Sequence, residues 1–215
     1  MKKMITSAIT FLLFLLFSIG SAKAQFPPAE NDLDRKVIAF LKEQSGQWYD
    51  FNVPVSDGRI LYDLILKGNY KKAVEIGTST GHSGVWIAWA LSKTGGKLIT
   101  FEIDKNRHEE ALANFKKAGV SEYIDARLGD AHKLVPALKG TYDFVFSDAD
   151  KDWYKNYFVA MVPKLVKGAC FTAHNTNMRS GGIREFLEYA ESHKDFTTSQ
   201  HPDSRSGLSI SYKKK

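Results

Sequence analysis

Polar residues recur at the ends of short apolar runs along this chain: Glu75 with Gly77, Glu102, Asp130 with Ala131, Asp148 with Lys151, and His174 with Asn175. Carboxylates so placed can accept hydrogen bonds from the hydroxyls and amino group of a nucleoside. Asp148 with Lys151 and His174 with Asn175 are likewise functional-looking groups at strand ends. A single carboxylate after a strand is most often a helix cap. Consecutive strand ends all carrying such groups are harder to explain in that way.

The spacing around the first pair narrows the ligand. Residues 74–84 read VEIGTSTGHSG, that is Glu-x-Gly-x-x-x-Gly. This is neither the Gly-x-Gly-x-x-Gly of a dinucleotide site nor a phosphate loop ending in Gly-Lys-Ser/Thr. Glu75 ahead of the turn would repel a pyrophosphate but suits a ligand with ammonium and sulfonium charge, which points to S-adenosylmethionine. Glu102 lies 21 residues beyond Gly81, where an acidic side chain can reach both hydroxyls of a ribose. Asp130 follows the next run and can meet the adenine amino group.

The elements that must hold these groups alternate. Strands are expected over 72–76, 97–103, 124–128, 142–147 and 169–173, with two closing strands near 196–200 and 208–212. Helices are expected over 84–92, 105–118, 131–138, 153–166 and 182–193. Two further helices precede them, one with Leu33, Val37, Ile38, Phe40 and Leu41 on a face, the other with Ile60, Leu61, Leu64 and Ile65 and capped by Ser56 or Asp57. Such alternation predicts right-handed βαβ units, a Rossmann-like doubly wound parallel sheet with helices on both faces, and a ligand crevice at the strands' C-terminal edge.

Residues 1–24 read as a signal peptide: basic Lys2 and Lys3, an apolar run from Met4 to Gly20, and the small-x-small site Ala22-Lys23-Ala24 ahead of Gln25. An uncleaved membrane anchor is the alternative. Residues 25–215 then form one domain, exported to the periplasm or secreted, with no stable membrane insertion after processing. Lys2, Lys3, Lys23 and the terminal Lys213-Lys214-Lys215 carry much of the +6 formal charge, so the basic balance does not argue for nucleic acid. Cys170 is the only cysteine, which excludes an internal disulfide and fits a small core residue.

VPVSDGRILYDLI (53–65), VEIGTSTGHSG, ITFEID (99–104), LGDA (128–131) and FVFSDADKDWY (144–154) together resemble the class I S-adenosylmethionine-dependent O-methyltransferases of the caffeoyl-CoA and catechol type. The resemblance runs from about Val53 to Tyr212. It implies a seven-stranded sheet with an antiparallel last strand, a homodimer, and a small acceptor with a phenolic or catechol-like hydroxyl. It puts Glu75, Gly77, Ser79, Gly81, Ser83, Glu102, Asp130, Ala131 and Asp148 on cofactor positions. Lys151 falls on the general base and Asp148 on a metal ligand.

One position departs from the family. Members usually carry Asp-Asn after the fifth strand, both metal ligands, whereas this chain has His174-Asn175. Three readings stay open: a softer divalent metal on Asp148, His174 and Asn175; no metal, with His174 as general base; or an exported relic that only binds an adenosine-like ligand. A nicotinamide oxidoreductase is disfavoured by the glycine spacing. Trp153, Tyr154 and Tyr157 are candidates for either core packing or an acceptor wall. Gln47-Trp48-Tyr49 and Arg179-Ser180-Gly181-Gly182 are candidate lids. His82 belongs to the cofactor turn, and His108, His132, His193 and His201 are expected on solvent faces or loops.

Overall fold

The computed structural model describes residues 26–48, 50–178 and 180–214. The expected signal peptide, Tyr49, Arg179 and Lys215 lie outside the described residues. Helices α1 (Asp32–Glu43) and α2 (Val55–Gly68) come first. The series β1 (Lys72–Ile76), α3 (His82–Thr94), β2 (Lys97–Glu102), α4 (Lys105–Ala118) and β3 (Ile124–Leu128) follows. Next come α5 (Ala131–Ala137), β4 (Tyr142–Ser147), α6 (Tyr154–Met161) and β5 (Leu165–His174). Helix α7 (Gly181–Ser192) and strands β6 (Phe196–Gln200) and β7 (Leu208–Lys213) close the chain.

The strands form one seven-stranded sheet in the order β3-β2-β1-β4-β5-β7-β6. Pairs among β1 to β5 are parallel, and β7 runs antiparallel to both β5 and β6. The doubly wound sheet and its antiparallel last strand are therefore as expected. Winding reverses between β1 and β4, so the turns leaving these two strands bound the crevice where such sheets take ligands.

Side-chain alternation builds a core on each face. In β4, Phe144 and Phe146 point to the side of Leu61, Ile65, Trp86 and Trp89, while Val145 points to Tyr154, Phe158 and Phe186. Helix α3 is buried from His82 through Leu91, which explains its apolar run on all sides. Taking one Trp such as Trp86 out of water removes roughly 200 Å² and stabilises the fold by up to about 5 kcal/mol. Helix α1 is fixed to α3 by buried Asp34, which completes a capping box with Asn31 and accepts from Trp89 Nε1 and Lys93 Nζ, each at 2.7 Å.

Two local expectations fail. The helix expected over 153–166 stops at Met161, because Pro163 lies in a 3₁₀ turn over Val162–Lys164. Strand β5 consequently starts at Leu165, and Gly168, at φ +79°, sits beside a register shift between Tyr142 and Phe144. Neither Ser56 nor Asp57 caps α2: Pro54 occupies the N-cap without a side-chain hydrogen bond. Cys170 is fully buried in β5, and burial pushes its thiol pKa up.

Candidate functional site

A cavity of about 790 Å³ opens at the C-terminal edge of the sheet, a volume usual for a small-ligand site. Gly77, Ser79, Glu102, Asp130, Ala131, Asp148, Lys151, His174 and Asn175 line it. The topology thus gathers the polar strand ends at one place. Glu75, Gly81 and Ser83 are not on its wall: Glu75 is in β1, Gly81 is the N-cap of α3 and Ser83 is in its first turn.

Gly77 explains how closely the two central turns approach. Its φ is +100°, and a Cβ there would stand 2.9 Å from the Asp148 carbonyl oxygen. Gly81, at φ +98°, opens α3 against the Phe115 ring, 2.7 Å from where its Cβ would be. These close contacts account for the glycine spacing, and Gly77 alone of the two also lines the cavity.

Glu75 differs most from its expected setting. It is fully buried, and its Oε2 accepts from Thr100 Oγ1 at 2.6 Å while Oε1 has no hydrogen-bond partner. Burial pushes its carboxyl up to about 7 against hydrogen bonds from Ser83 and Thr100. Any influence of its charge on a ligand passes through the turn rather than through contact across the cavity.

Glu102 is on the wall and held in one orientation. The Ser79 N–H donates to its Oε2 at 2.7 Å and the Asp104 N–H to its Oε1 at 2.9 Å. Ser79 adopts φ +48°, an unusual conformation for a residue with a side chain, which aims its N–H at that carboxylate. Asp130 is both a cap and a wall residue: it accepts from the His132 N–H at 2.9 Å at the start of α5. Contrary to expectation, His132 lines the cavity, stacked on Trp153 at 3.8 Å between centroids with Nε2 3.2 Å from Asp150. Tyr157 is buried and also reaches the cavity, whereas Tyr154 is wholly core. His82 is a buried structural residue, Nδ1 donating to the Val53 carbonyl at 2.7 Å and Nε2 accepting from Trp86 at 3.2 Å. Burial pushes its pKa down to about 4.

His174 is bracketed by two carboxylates. Nδ1 lies 3.1 Å from Asp148 Oδ2 and Nε2 lies 2.8 Å from Asp57 Oδ2, with the His174 side chain 4% and Asp57 1% exposed. Ionised carboxylates only accept, so both ring nitrogens must donate and the ring is an imidazolium. Burial by itself would lower the His174 pKa, but the bonds to Asp148 and Asp57 outweigh it and raise the value to about 9. Burial pushes Asp57 up, and the hydrogen bonds from His174 and Ser204 outweigh that, holding it below the usual carboxylate range. Ser204 Oγ donates to Asp57 Oδ2 at 2.9 Å. A ring held in this way has no lone pair for a substrate proton, which does not fit the reading of His174 as general base.

Lys151 completes the cluster. Its Nζ donates to Asp148 Oδ1 at 2.5 Å and to Tyr154 Oη at 2.9 Å, while Tyr154 Oη donates to the His174 carbonyl at 3.1 Å. Burial and the adjacent Asp148 raise the Tyr154 pKa, so its hydroxyl stays a donor. Asp148 is therefore used at both oxygens, one by Lys151 and one by His174.

These contacts decide whether the expected metal ligands fit a cation. Both nitrogens of His174 and both oxygens of Asp148 are engaged, and only Asn175 remains of the trio. Among the described residues no group of three or more His, Cys, Asp or Glu is arranged to hold a metal. The residues present do not fit a divalent cation. Besides His132, sequence reasoning missed Asp57, which reads as a helix cap and instead turns inward.

The O-methyltransferase family profile matches residues 30–195. Among curated relatives, the flavonoid 3',5'-methyltransferase of Vitis vinifera is 33% identical over 162 residues, covering 73% of this chain and 68% of its own length. A caffeoyl-CoA O-methyltransferase of Eucalyptus globulus is 31% identical over 159 residues, covering 69% of this chain and 64% of its own. Among solved structures, an O-methyltransferase from Bacillus cereus in complex with SAH superposes with a TM-score of 0.73 at 22% identity, covering 87% of this chain and 92% of that one. TomG from Streptomyces achromogenes, in complex with SAM, gives 0.72 at 24% with the same coverage. At these identities the structural likeness is one of fold, while the sequence matches carry the assignment. The chain belongs to the O-methyltransferase family, in its caffeoyl-CoA type.

Proposed function

We propose that this protein transfers a methyl group from S-adenosylmethionine to a hydroxyl of a small phenolic or catechol-like acceptor. The observation that carries the reading is that Glu102 and the Asp148–Lys151 pair share one cavity at the switch point of the sheet. Glu102 binds the ribose hydroxyls, Asp130 and Ala131 border the adenine, and the Gly77 turn, bare of a side chain, borders the donor. The bound donor supplies an electrophilic methyl for in-line displacement. Lys151, as the neutral amine that donates to Asp148 and Tyr154 and keeps one lone pair, holds the acceptor oxygen and receives its proton at Nζ. Asp148 and Tyr154 fix that nitrogen in place, which is the positioning such a displacement needs. Tyr157 and His132, the latter backed by the stacked Trp153 ring, form an aromatic side that excludes water from a flat acceptor.

Calorimetry with S-adenosylmethionine, its demethylated product and NAD tests the cofactor, and mass spectrometry of a phenol and catechol panel tests the transfer. Binding of the first two without NAD, together with methylated product, is expected; an inert panel with NAD bound would overturn the reading. Lys151→Arg puts a permanently protonated guanidinium in its place, which cannot take a proton, so turnover should fall by roughly 10²-fold or more with donor binding retained. Undiminished turnover in that variant removes Lys151 from the base role. The basic, apolar and small-x-small features of residues 1–24 support export with cleavage before Gln25, which sequencing of the mature N-terminus checks. Among the described residues no helix is long and apolar enough to cross a membrane.

A further inference from the structure

We infer that His174 fills the place at which a carboxylate would complete a divalent-cation site, so that this protein binds no divalent cation there and ties Asp148 to α2 through its own side chain. Five contacts support this. His174 spans from Asp148 Oδ2 at 3.1 Å to Asp57 Oδ2 at 2.8 Å, leaving neither nitrogen as a donor for a metal. Lys151 Nζ takes the other oxygen of Asp148 at 2.5 Å. Asp57, contributed by α2 and almost fully buried, is satisfied by His174, by Ser204 Oγ at 2.9 Å and by Ser56 Oγ at 3.3 Å.

A cation arriving at Asp148 would have to break its contacts with both His174 and Lys151. Turning His174 away would also leave the Asp57 carboxylate buried with only hydroxyl partners, which is costly. The remaining oxygen ligand, Asn175, is neutral and cannot offset the loss of a charged one. The position that the resemblance gives to a metal ligand is held by a nitrogen base bonded at both ends. The inference deepens the proposed reaction at the same cavity, since Lys151 must then handle the acceptor proton without a Lewis acid. Its readout, cation binding, does not depend on turnover.

The test titrates the purified full chain with Mn²⁺, following the free-ion signal by electron paramagnetic resonance and the heat by calorimetry. Wild type, His174→Asp and the double variant Asp57→Asn/His174→Asp are compared. The double variant guards against misfolding, because His174→Asp alone sets two carboxylates face to face. Wild type should leave the free Mn²⁺ signal unchanged, and at least one folded variant should bind Mn²⁺ at least about tenfold more tightly. Mn²⁺ binding by wild type that Asp148→Asn abolishes would overturn the inference by itself. Folded variants that gain no affinity would also overturn it, since His174 would then not be what displaces the metal. A chelator should leave any methyl transfer by wild type unchanged. A chain with no methyl transfer at all would count against the proposed reaction and leave the cation result standing.

Discussion

Raising the pH above neutrality should weaken this fold through one side chain, His174, and replacing it with Asn should remove that dependence. The folded-state value is raised to about 9, against an ordinary imidazole value of about 6.5. At about 1.4 kcal/mol for each tenfold change in proton affinity, that gap amounts to about 3 kcal/mol. Because the native state holds the proton more tightly than the unfolded chain, the stabilisation is complete below about pH 6.5 and is lost as pH rises through about 9. Asp57 runs the other way: its lowered pKa gives stability above its ordinary carboxylate range, lost as pH falls below it. The two halves belong to one ion pair and are not additive. Stability from the pair is therefore greatest between about pH 4 and 6.5. Urea unfolding followed by the fluorescence of Trp86 and Trp89, both 0% exposed, gives the profile at each pH. The difference between wild type and His174→Asn cancels every group the two share, Glu75 included. That difference should shrink by about 3 kcal/mol from pH 6.5 to 9.5, or about 10 °C in melting temperature for a domain of this size. Parallel profiles would refute the bracketed imidazolium.

Two further substitutions probe the turn that leaves β1. Glu75→Gln keeps hydrogen bonding to Thr100 and Ser83 but removes a carboxyl that burial raises to about 7; since ionising it costs the native state increasingly from about pH 4.5 upward, the variant should gain up to about 3 kcal/mol above pH 7. Its S-adenosylmethionine affinity, read by calorimetry, should fall, because a carboxylate beneath the turn favours a cationic ligand; an unchanged melting temperature and affinity would dismiss Glu75 as a charge. Gly77→Ala forces a side chain into φ +100° with its Cβ 2.9 Å from the Asp148 carbonyl oxygen. It should lose about 1–3 kcal/mol and bind donor more weakly, and a wild-type urea midpoint would contradict the close approach.

What could be read from the residues alone was whatever depends on neighbours in sequence. Alternation of side chains placed β4 at residues 142–147, and the fold keeps it at Tyr142–Ser147, because Phe144, Val145 and Phe146 must face two different cores. The same alternation fixes the face a side chain takes but not its depth, so it could not tell that Glu75 lies beneath the cavity wall while Glu102 stands on it. Pro163 breaks the helix, but Val162 and Leu165 continue an apolar pattern on both sides of it, so the spacing alone carries the helix past its end at Met161. Asp57 is the clearest case of missing information. Near a helix start an aspartate is ordinarily a cap, but Pro54, with φ −59° and ψ 152°, already turns the chain into α2, which leaves the carboxylate free to point inward. Its partner is 117 residues away in sequence, and only the fold, which sets the first turn of α2 beside the end of β5, brings them together. A histidine in a metal-ligand position reads as ligand or base while its second nitrogen is unaccounted for. Once Asp57 holds that nitrogen, either role requires breaking a buried ion pair.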